Sequence, residues 1–389
     1  MNVYEIKSEL MNNILPFWKG LMDYKYGGFY GCMDFDLNVN TKADKGVVLH
    51  SRILWFFSKV YTLMGDMDSL TYASHAYHFL KTFCLDEEEG GVYWSLTYKG
   101  SVSDPKKFTY NQAFAIYALL SYYEAAKDEE ALRISYSIYD LIEKRCKDER
   151  GYLEAFDRTF HSIENDRICG NGLIVRRSAG TVLHILEAYT ELYRIGKQEK
   201  VRSSIKYILD QLENEIFNNN KSYLESYFDI DMKPVSNLDS FGHDIEASWL
   251  IEYGCEVIKD DSYGLKMGRI TEALRNHVLA EGFDGTAVNN DCMNGSVDTT
   301  RIWWVQSEAI IGFMNGYRSD LERIEYLKAA DRIWVFIKTS MIDKRSGSEW
   351  INEVDNNGKP ITGRDIAGPW KCPYHNSRMC LEMIKRGVN

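Results

Sequence analysis

Three of the eight histidines in this chain stand where a proton could be moved to and from carbon. His184, His243 and His375 each fall near the start of a different helix-like segment, and Arg52, Tyr110, Asn111, Trp303 and Trp304 occupy the same level in others. Imidazole titrates near working pH, so two histidines can take a proton from one face of a carbon and return one to the other. A carbon acidified by a neighbouring carbonyl passes through an enediolate in such an exchange.

Spacing pairs some of these residues. In GHDIEASW, His243 and Glu246 lie three apart on one helical face, so Glu246 is expected to orient the imidazole. In WWVQSEA, Trp304 and Glu308 lie four apart and also share a face. His375 follows an aromatic turn, Gly368-Pro369-Trp370-Lys371-Cys372-Pro373-Tyr374. His50, His75, His78, His161 and His277 read as caps or core. Two other chemistries remain open on these residues. Glu246 and Glu308 could serve an inverting glycoside hydrolase, and an aldose–ketose isomerase would use the same enediol.

The elements that must position these groups are legible from apolar periodicity. In SAGTVLHILEAYTELY, Val182, Ile185, Leu186, Tyr189, Leu192 and Tyr193 form one stripe at three-and-four spacing. Similar patterns occur near 3–20, 47–63, 68–84, 110–125, 129–145, 199–216, 243–258, 260–279, 303–317, 322–340 and 373–386. Short strand-like segments punctuate them at 27–30, 90–94, 151–153, 222–224, 285–287 and 347–350. The recurrence every 60–70 residues predicts a repeated two-helix unit with a small β excursion. Helices beginning near 47, 110, 178, 243, 303 and 373 are apolar nearly all round, and those between them are one-sided. The expected fold is all-α, an (α/α)6 barrel of six inner and six outer helices with short β segments in the loops. It would form a single catalytic domain over 1–389, with the inner N-termini sharing one mouth.

Composition narrows the function. The net charge is −11 and no basic run occurs, which argues against a nucleic-acid partner. No apolar run is long enough to span a bilayer. The N-terminus lacks a signal-peptide core. The cysteines at 32, 84, 146, 169, 255, 292, 372 and 380 form no C-x-x-C pair or zinc spacing, so reduced thiols in the cytoplasm are expected. No dinucleotide-binding glycine turn or P-loop occurs, so neither cofactor nor metal is expected. Aromatics reach 13%, which suits a site that packs rings on sugar faces. The acidic run Asp86 to Glu89 reads as a solvated loop.

The segments ADKGVVLHSRILWFFSK, FTYNQAFAIYAL, FGHDIEASWL, TRIWWVQSEAIIGF and GPWKCPYHNSRMC, in that order, resemble the cellobiose 2-epimerases of the N-acylglucosamine 2-epimerase superfamily. The resemblance implies an (α/α)6 barrel that interconverts glucose and mannose at the reducing end of β-1,4-linked disaccharides, with cellobiose, lactose or mannobiose as the partner molecule. It implies that His243 and His375 exchange the C2 proton, and that Arg52, His184 and Glu246 support the reacting end. It implies sugar contacts from Tyr110, Trp249, Trp304, Glu308 and Trp370, to which the helix-start register adds Asn111 and Trp303. One position departs from the pattern: Gly180 stands one turn before His184, where the resemblance leads one to expect Asn. A monomer or weak homodimer is expected.

Overall fold

The computed structural model describes residues 1–165 and 174–387, so Cys169 lies outside the described residues. Its helices fall where the periodicity puts them. The inner ones are Val47–Met64, Thr109–Ala126, Ala179–Gly196, Phe241–Ile258, Trp303–Ser319 and His375–Arg386. Between them run outer helices over 67–84, 129–146, 199–216, 261–282 and 324–341, preceded by one over 3–20.

Burial separates the two kinds as expected. In Val47–Met64 every residue from Val47 to Ser58 is buried. In Ala179–Gly196 the same holds from Thr181 to Leu192. By contrast Glu199–Gln211 buries Val201, Ser204, Ile205, Ile208, Leu209 and Gln211, a single stripe.

The turn between an inner helix and the next outer one has a repeated local logic. The inner helix stops on a left-handed residue, Gly65, Lys127, Lys197 or Lys259. Lysine tolerates that conformation at some cost, and its charge suits a helix C-terminus. The following Asp66, Asp128 or Asp260 caps the outer helix by accepting a backbone N–H.

Five outer helices, among the described residues, close on a π turn: Leu80–Cys84, Ile142–Cys146, Leu212–Ile216, Val278–Gly282 and Ile337–Met341. Each π turn leads into one of the short β excursions. Leu85 bridges Val92, Phe283 bridges Val288 and Ile342 bridges Trp350, while Lys147–Asp148 pairs with Gly151–Tyr152 and Phe217–Asn218 with Tyr223–Leu224.

The chain folds as two compact units. The first comprises 8–177 and 363–377. In it Val47–Met64 packs on Met67–Phe79 and Thr109–Ala126, and Thr109–Ala126 on Glu129–Leu141. The second comprises 1–7, 178–362 and 378–389. There Phe241–Ile258 packs on Ala179–Gly196, Asp261–His277 and Trp303–Ser319.

An ion pair with a buried cation ties hairpin to inner helix within each unit. Lys45 binds Asp23 at 2.7 Å, Lys107 binds Asp86 at 3.0 Å and Arg177 binds Asp148 at 2.7 Å in the first. Arg301 binds Asp284 in the second. The acidic run is solvated at Glu87 and Glu88, as expected, but not at Asp86. Asp86 is 2% exposed and takes a further bond from Arg158 at 2.9 Å, because the hairpin turns its carboxylate inward onto Lys107.

Candidate active site

In the second unit, His243 is the third residue of its helix, and Phe241 and Gly242 before it are buried. Its Nδ1 lies 2.8 Å from Ser240 Oγ, and its ring packs on Trp304 with centroids 5.0 Å apart. Burial, with a smaller contribution from His184, pulls its pKa down to about 4. At neutral pH the imidazole is uncharged and able to accept a proton.

The expected pairing of His243 with Glu246 is not what forms. Ser240 holds the imidazole, and Glu246 bonds instead to Arg378. A three-residue spacing puts both side chains on one face, but a guanidinium outcompetes a neutral ring for a buried carboxylate.

Arg378 is the hub of that buried cluster. It donates to Glu187 Oε1 at 2.6 Å, pairs with Glu308 Oε1 at 2.7 Å and lies over the Trp249 ring at 4.9 Å. Trp249 Nε1 donates to Glu308 Oε2 at 3.0 Å, and His184 Nδ1 meets Glu187 Oε2 at 3.0 Å. Three carboxylates thus share one guanidinium and one imidazole. Burial and then the Glu308 charge push the Glu246 carboxyl up to about 7, against the pull of Arg378. Burial also raises Glu308. The cluster therefore retains a proton near neutrality.

In the first unit, Arg52 is almost fully buried. It donates to Tyr110 Oη at 2.7 Å and to Cys372 Sγ at 3.5 Å, and it faces the rings of Phe114 at 4.2 Å and Tyr374 at 4.7 Å. Burial opposes its charge, but Tyr110, Cys372 and Tyr374 more than compensate and hold it protonated. Tyr110 also meets Trp370 with centroids 5.7 Å apart, and Trp370 meets Trp94 at 5.9 Å. Trp370 is 49% exposed at a cavity of about 460 Å³ that it lines with Trp94, Val48, Ser103, Asp104 and Pro369. An open aromatic face beside the polar side chains of Ser103 and Asp104 is the chemistry that holds a sugar ring. His375 opens its helix, buried, with its ring 4.7 Å from that of Tyr374.

Two expected residues lie deeper. Asn111 is fully buried with Nδ2 donating to the Tyr93 carbonyl at 3.2 Å, and Trp303 is 3% exposed at its helix start. Arg378, Glu187 and Ser240 do not stand out in the sequence. A signal exists for two of them, since Glu187 follows His184, and Arg378 follows His375, by three residues.

The sequence pattern of the N-acylglucosamine 2-epimerase (GlcNAc 2-epimerase) family matches residues 28–378. A cellobiose 2-epimerase of Ruminococcus albus is 43% identical over 389 residues, covering 100% of both chains. A solved sugar epimerase from a ruminal bacterium superposes with a TM-score of 0.98 at 42% identity, again over 100% of both chains. The cellobiose 2-epimerase of Bacillus thermoamylovorans gives 0.95 at 40% identity over 99% of each. The fold class shared with these proteins is all-α, the (α/α)6 barrel expected from the repeat.

Proposed function

The chain belongs to the N-acylglucosamine 2-epimerase family, and we propose from that premise how its residues invert C2 of the reducing-end glucose in β-1,4-linked disaccharides. Its activity is that of a cellobiose 2-epimerase, an isomerase-class reaction. The observation that carries the mechanism is the buried imidazole of His243, uncharged at neutral pH.

The substrate enters as a closed pyranose. Ring opening moves a proton onto O5 and one off O1, and leaves an aldehyde that acidifies C2–H. We assign ring opening to His375. His243 or His375, according to direction, removes the C2 proton, and the electron pair spreads into a cis-enediolate. The other histidine, protonated at that point, gives its proton to the opposite face of C2, the ring recloses, and the two imidazoles re-exchange protons with solvent before the next turnover. Two bases are needed because one group cannot reach both faces of a fixed planar intermediate. Arg52 and His184 stabilise the developing oxyanion, and Glu246 sets the charge around the reacting end. Tyr110, Trp249, Trp304, Glu308 and Trp370 hold the two sugars, with Asn111 and Trp303 supporting them from deeper positions.

Cellobiose would give 4-O-β-glucosyl-mannose, lactose would give epilactose, and mannobiose would run in reverse. We read the protein as cytoplasmic, cofactor-independent, and a monomer or weak homodimer acting as one catalytic domain. Supporting this, the described cysteines Cys84, Cys146, Cys255, Cys372 and Cys380 are buried free thiols, and the family match runs through both units. Among the described residues no helix is long and apolar enough to cross a membrane.

An inverting hydrolase using Glu246 and Glu308 is disfavoured on geometry. Both carboxylates bond the same Arg378 nitrogen, so the bonded oxygens lie within about 5 Å, whereas inversion needs roughly 6.5–9.5 Å. Proton NMR of cellobiose with the protein in heavy water tests the whole reading. Loss of the reducing-end H2 signal with growth of a mannose-type anomeric signal is expected. Free glucose would indicate hydrolysis, and a ketose signal would indicate isomerisation to C1.

A further inference from the structure

Four of the six inner helices share the repeated ion pair, and one of the other two reverses its sign. Lys45, Lys107, Arg177 and Arg301 each stand two residues ahead of an inner helix and bind an aspartate of the preceding hairpin. Ahead of Phe241–Ile258 the same position is Asp239. The hairpin partner there is Asn218, whose Nδ2 donates to Glu225 Oε1 at 2.6 Å. An anion has replaced the built-in cation.

A second exchange sits at the fourth residue of the same helix. In three other repeats His50, Gln112 and Gln306 accept a hairpin N–H there, from Phe29, Val92 and Val288. Each directs a second side-chain atom, His50 Nδ1 or the glutamine Nε2, toward a backbone carbonyl, of Gly46, Val92 and Val288 respectively. Asp244 keeps the first role, accepting from Leu224 N at 2.9 Å. Where the others offer a nitrogen it offers Oδ2, a buried oxygen on a residue 1% exposed that meets no donor and faces the Asp239 carboxyl. Asp239 Oδ1 is likewise buried and unpartnered, while Asp239 Oδ2 meets His277 Nε2 at 2.7 Å. Glu225 Oε2 adds a third oxygen in that state.

One ligand atom each from Asp239, Asp244 and His277 lies within 4.8 Å of the others. Two carboxylates facing one another out of water repel unless a cation stands between them. Side-chain exposures of 11% for Asp239 and 12% for His277 leave an entry path. We propose that Asp239, Asp244 and His277 bind a divalent metal ion, which takes the place of the lysine or arginine that four of the other repeats carry. Two carboxylate oxygens and an imidazole nitrogen suit Mn²⁺ or Zn²⁺ better than Ca²⁺, which takes oxygen ligands almost throughout. The ion is structural. It joins Phe241–Ile258 to Asp261–His277 and fixes the helix turn that carries His243, the residue before Asp244.

The test is thermal melting and titration calorimetry of the full chain after chelator treatment, with MnCl₂ and ZnCl₂ added separately. A saturable heat at one ion per chain and a Tm rise of a few degrees are expected. Asp239→Asn and Asp244→Asn should each lose at least tenfold in ion affinity. Asp239→Lys, which restores the repeat's own cation, should melt at or above the ion-loaded wild type without added ion and should no longer respond. The proposal is overturned if neither ion gives a saturable response, or if the response survives in the Asp239→Asn/Asp244→Asn double variant. It is overturned equally if only acidification stabilises the wild type, since the two carboxylates would then share a proton. Circular dichroism of each variant separates loss of binding from loss of folding.

Discussion

The Nε2 atom of His243 lies 3.5 Å from where a Cβ on Gly180 would stand. Residue 180 therefore neighbours the proposed base itself, in addition to preceding His184 by one turn. The separation is an ordinary van der Waals contact, so a Cβ fits without displacing the imidazole.

Gly180→Asn should put an amide beside the reacting carbon. Turnover of cellobiose is expected to rise several-fold with little change in KM, read by steady-state kinetics. Gly180→Ala should leave kinetics nearly unchanged and stabilise the helix by about 0.5–1 kcal/mol through lost backbone freedom. Lower turnover in Gly180→Asn at unchanged Tm would show that the open space is itself required.

His243→Asn and His375→Asn should each abolish C2 epimerisation, by at least a thousandfold, while the far-ultraviolet circular dichroism stays helical. Deuterium from heavy water should appear at C2 of product made by the wild type. Near-normal turnover in either variant would remove that histidine from the mechanism.

Arg378 bonds Glu187, Glu246 and Glu308 at once, so its loss leaves three buried carboxylates facing one another. Arg378→Met should destabilise the fold by about 3–5 kcal/mol, the usual cost of stranding buried charge. Urea unfolding measures it. A loss under 1 kcal/mol would mean the carboxylates are protonated without help from the guanidinium.

Much of this is legible in the sequence, and the residues show why. Val182, Ile185, Leu186 and Tyr189 mark a helix because burial follows a fixed angular period, so the helix bounds and the inner–outer distinction can be read directly. The strand-like Gly90-Gly91-Val92 and Ser222-Tyr223-Leu224 announce hairpins through their turn residues. Arg378 cannot be found the same way. Its role depends on Glu187, Glu246 and Glu308 arriving from three other helices, and periodicity along one helix carries no such information. The expected Glu246 contact fails for the same reason: shared-face spacing gives proximity to His243, but a competing guanidinium from a distant segment decides the bond. The π turns are invisible too, since one extra residue per turn falls within the uncertainty of a helix end.

Two opposed titrations should hide each other in the wild type. The folded pKa of His243 is depressed from 6.5 to about 4, so its contribution to stability is complete above pH 6.5 and lost as pH falls through 4. That of Glu246 is raised from 4.5 to about 7, so its contribution is complete below pH 4.5 and lost as pH rises through 7. Each slope is at most about 1.4 kcal/mol per pH unit. Glu246→Gln removes the second. Relative to wild type, the variant should lose stability on acidification from pH 6.5 to 4.5, measured by urea melts at each pH. Parallel profiles would sink the assignment.

Trp370→Ala should raise KM for cellobiose about tenfold with kcat within twofold, because a half-exposed ring at a cavity binds ground state and transition state alike. An equal fall in kcat would place Trp370 at the reacting carbon instead.

The π turns that close the outer helices bear on ancestry. Each contains one residue more than an α turn needs, and each sits at the same register, immediately before a hairpin. Separate insertions would have had to land on the same turn in helix after helix. Copying one two-helix unit that already carried the extra residue produces the pattern in a single step. The irregularity is therefore older than the ring of repeats, and it marks where each copy ends more reliably than any side chain does.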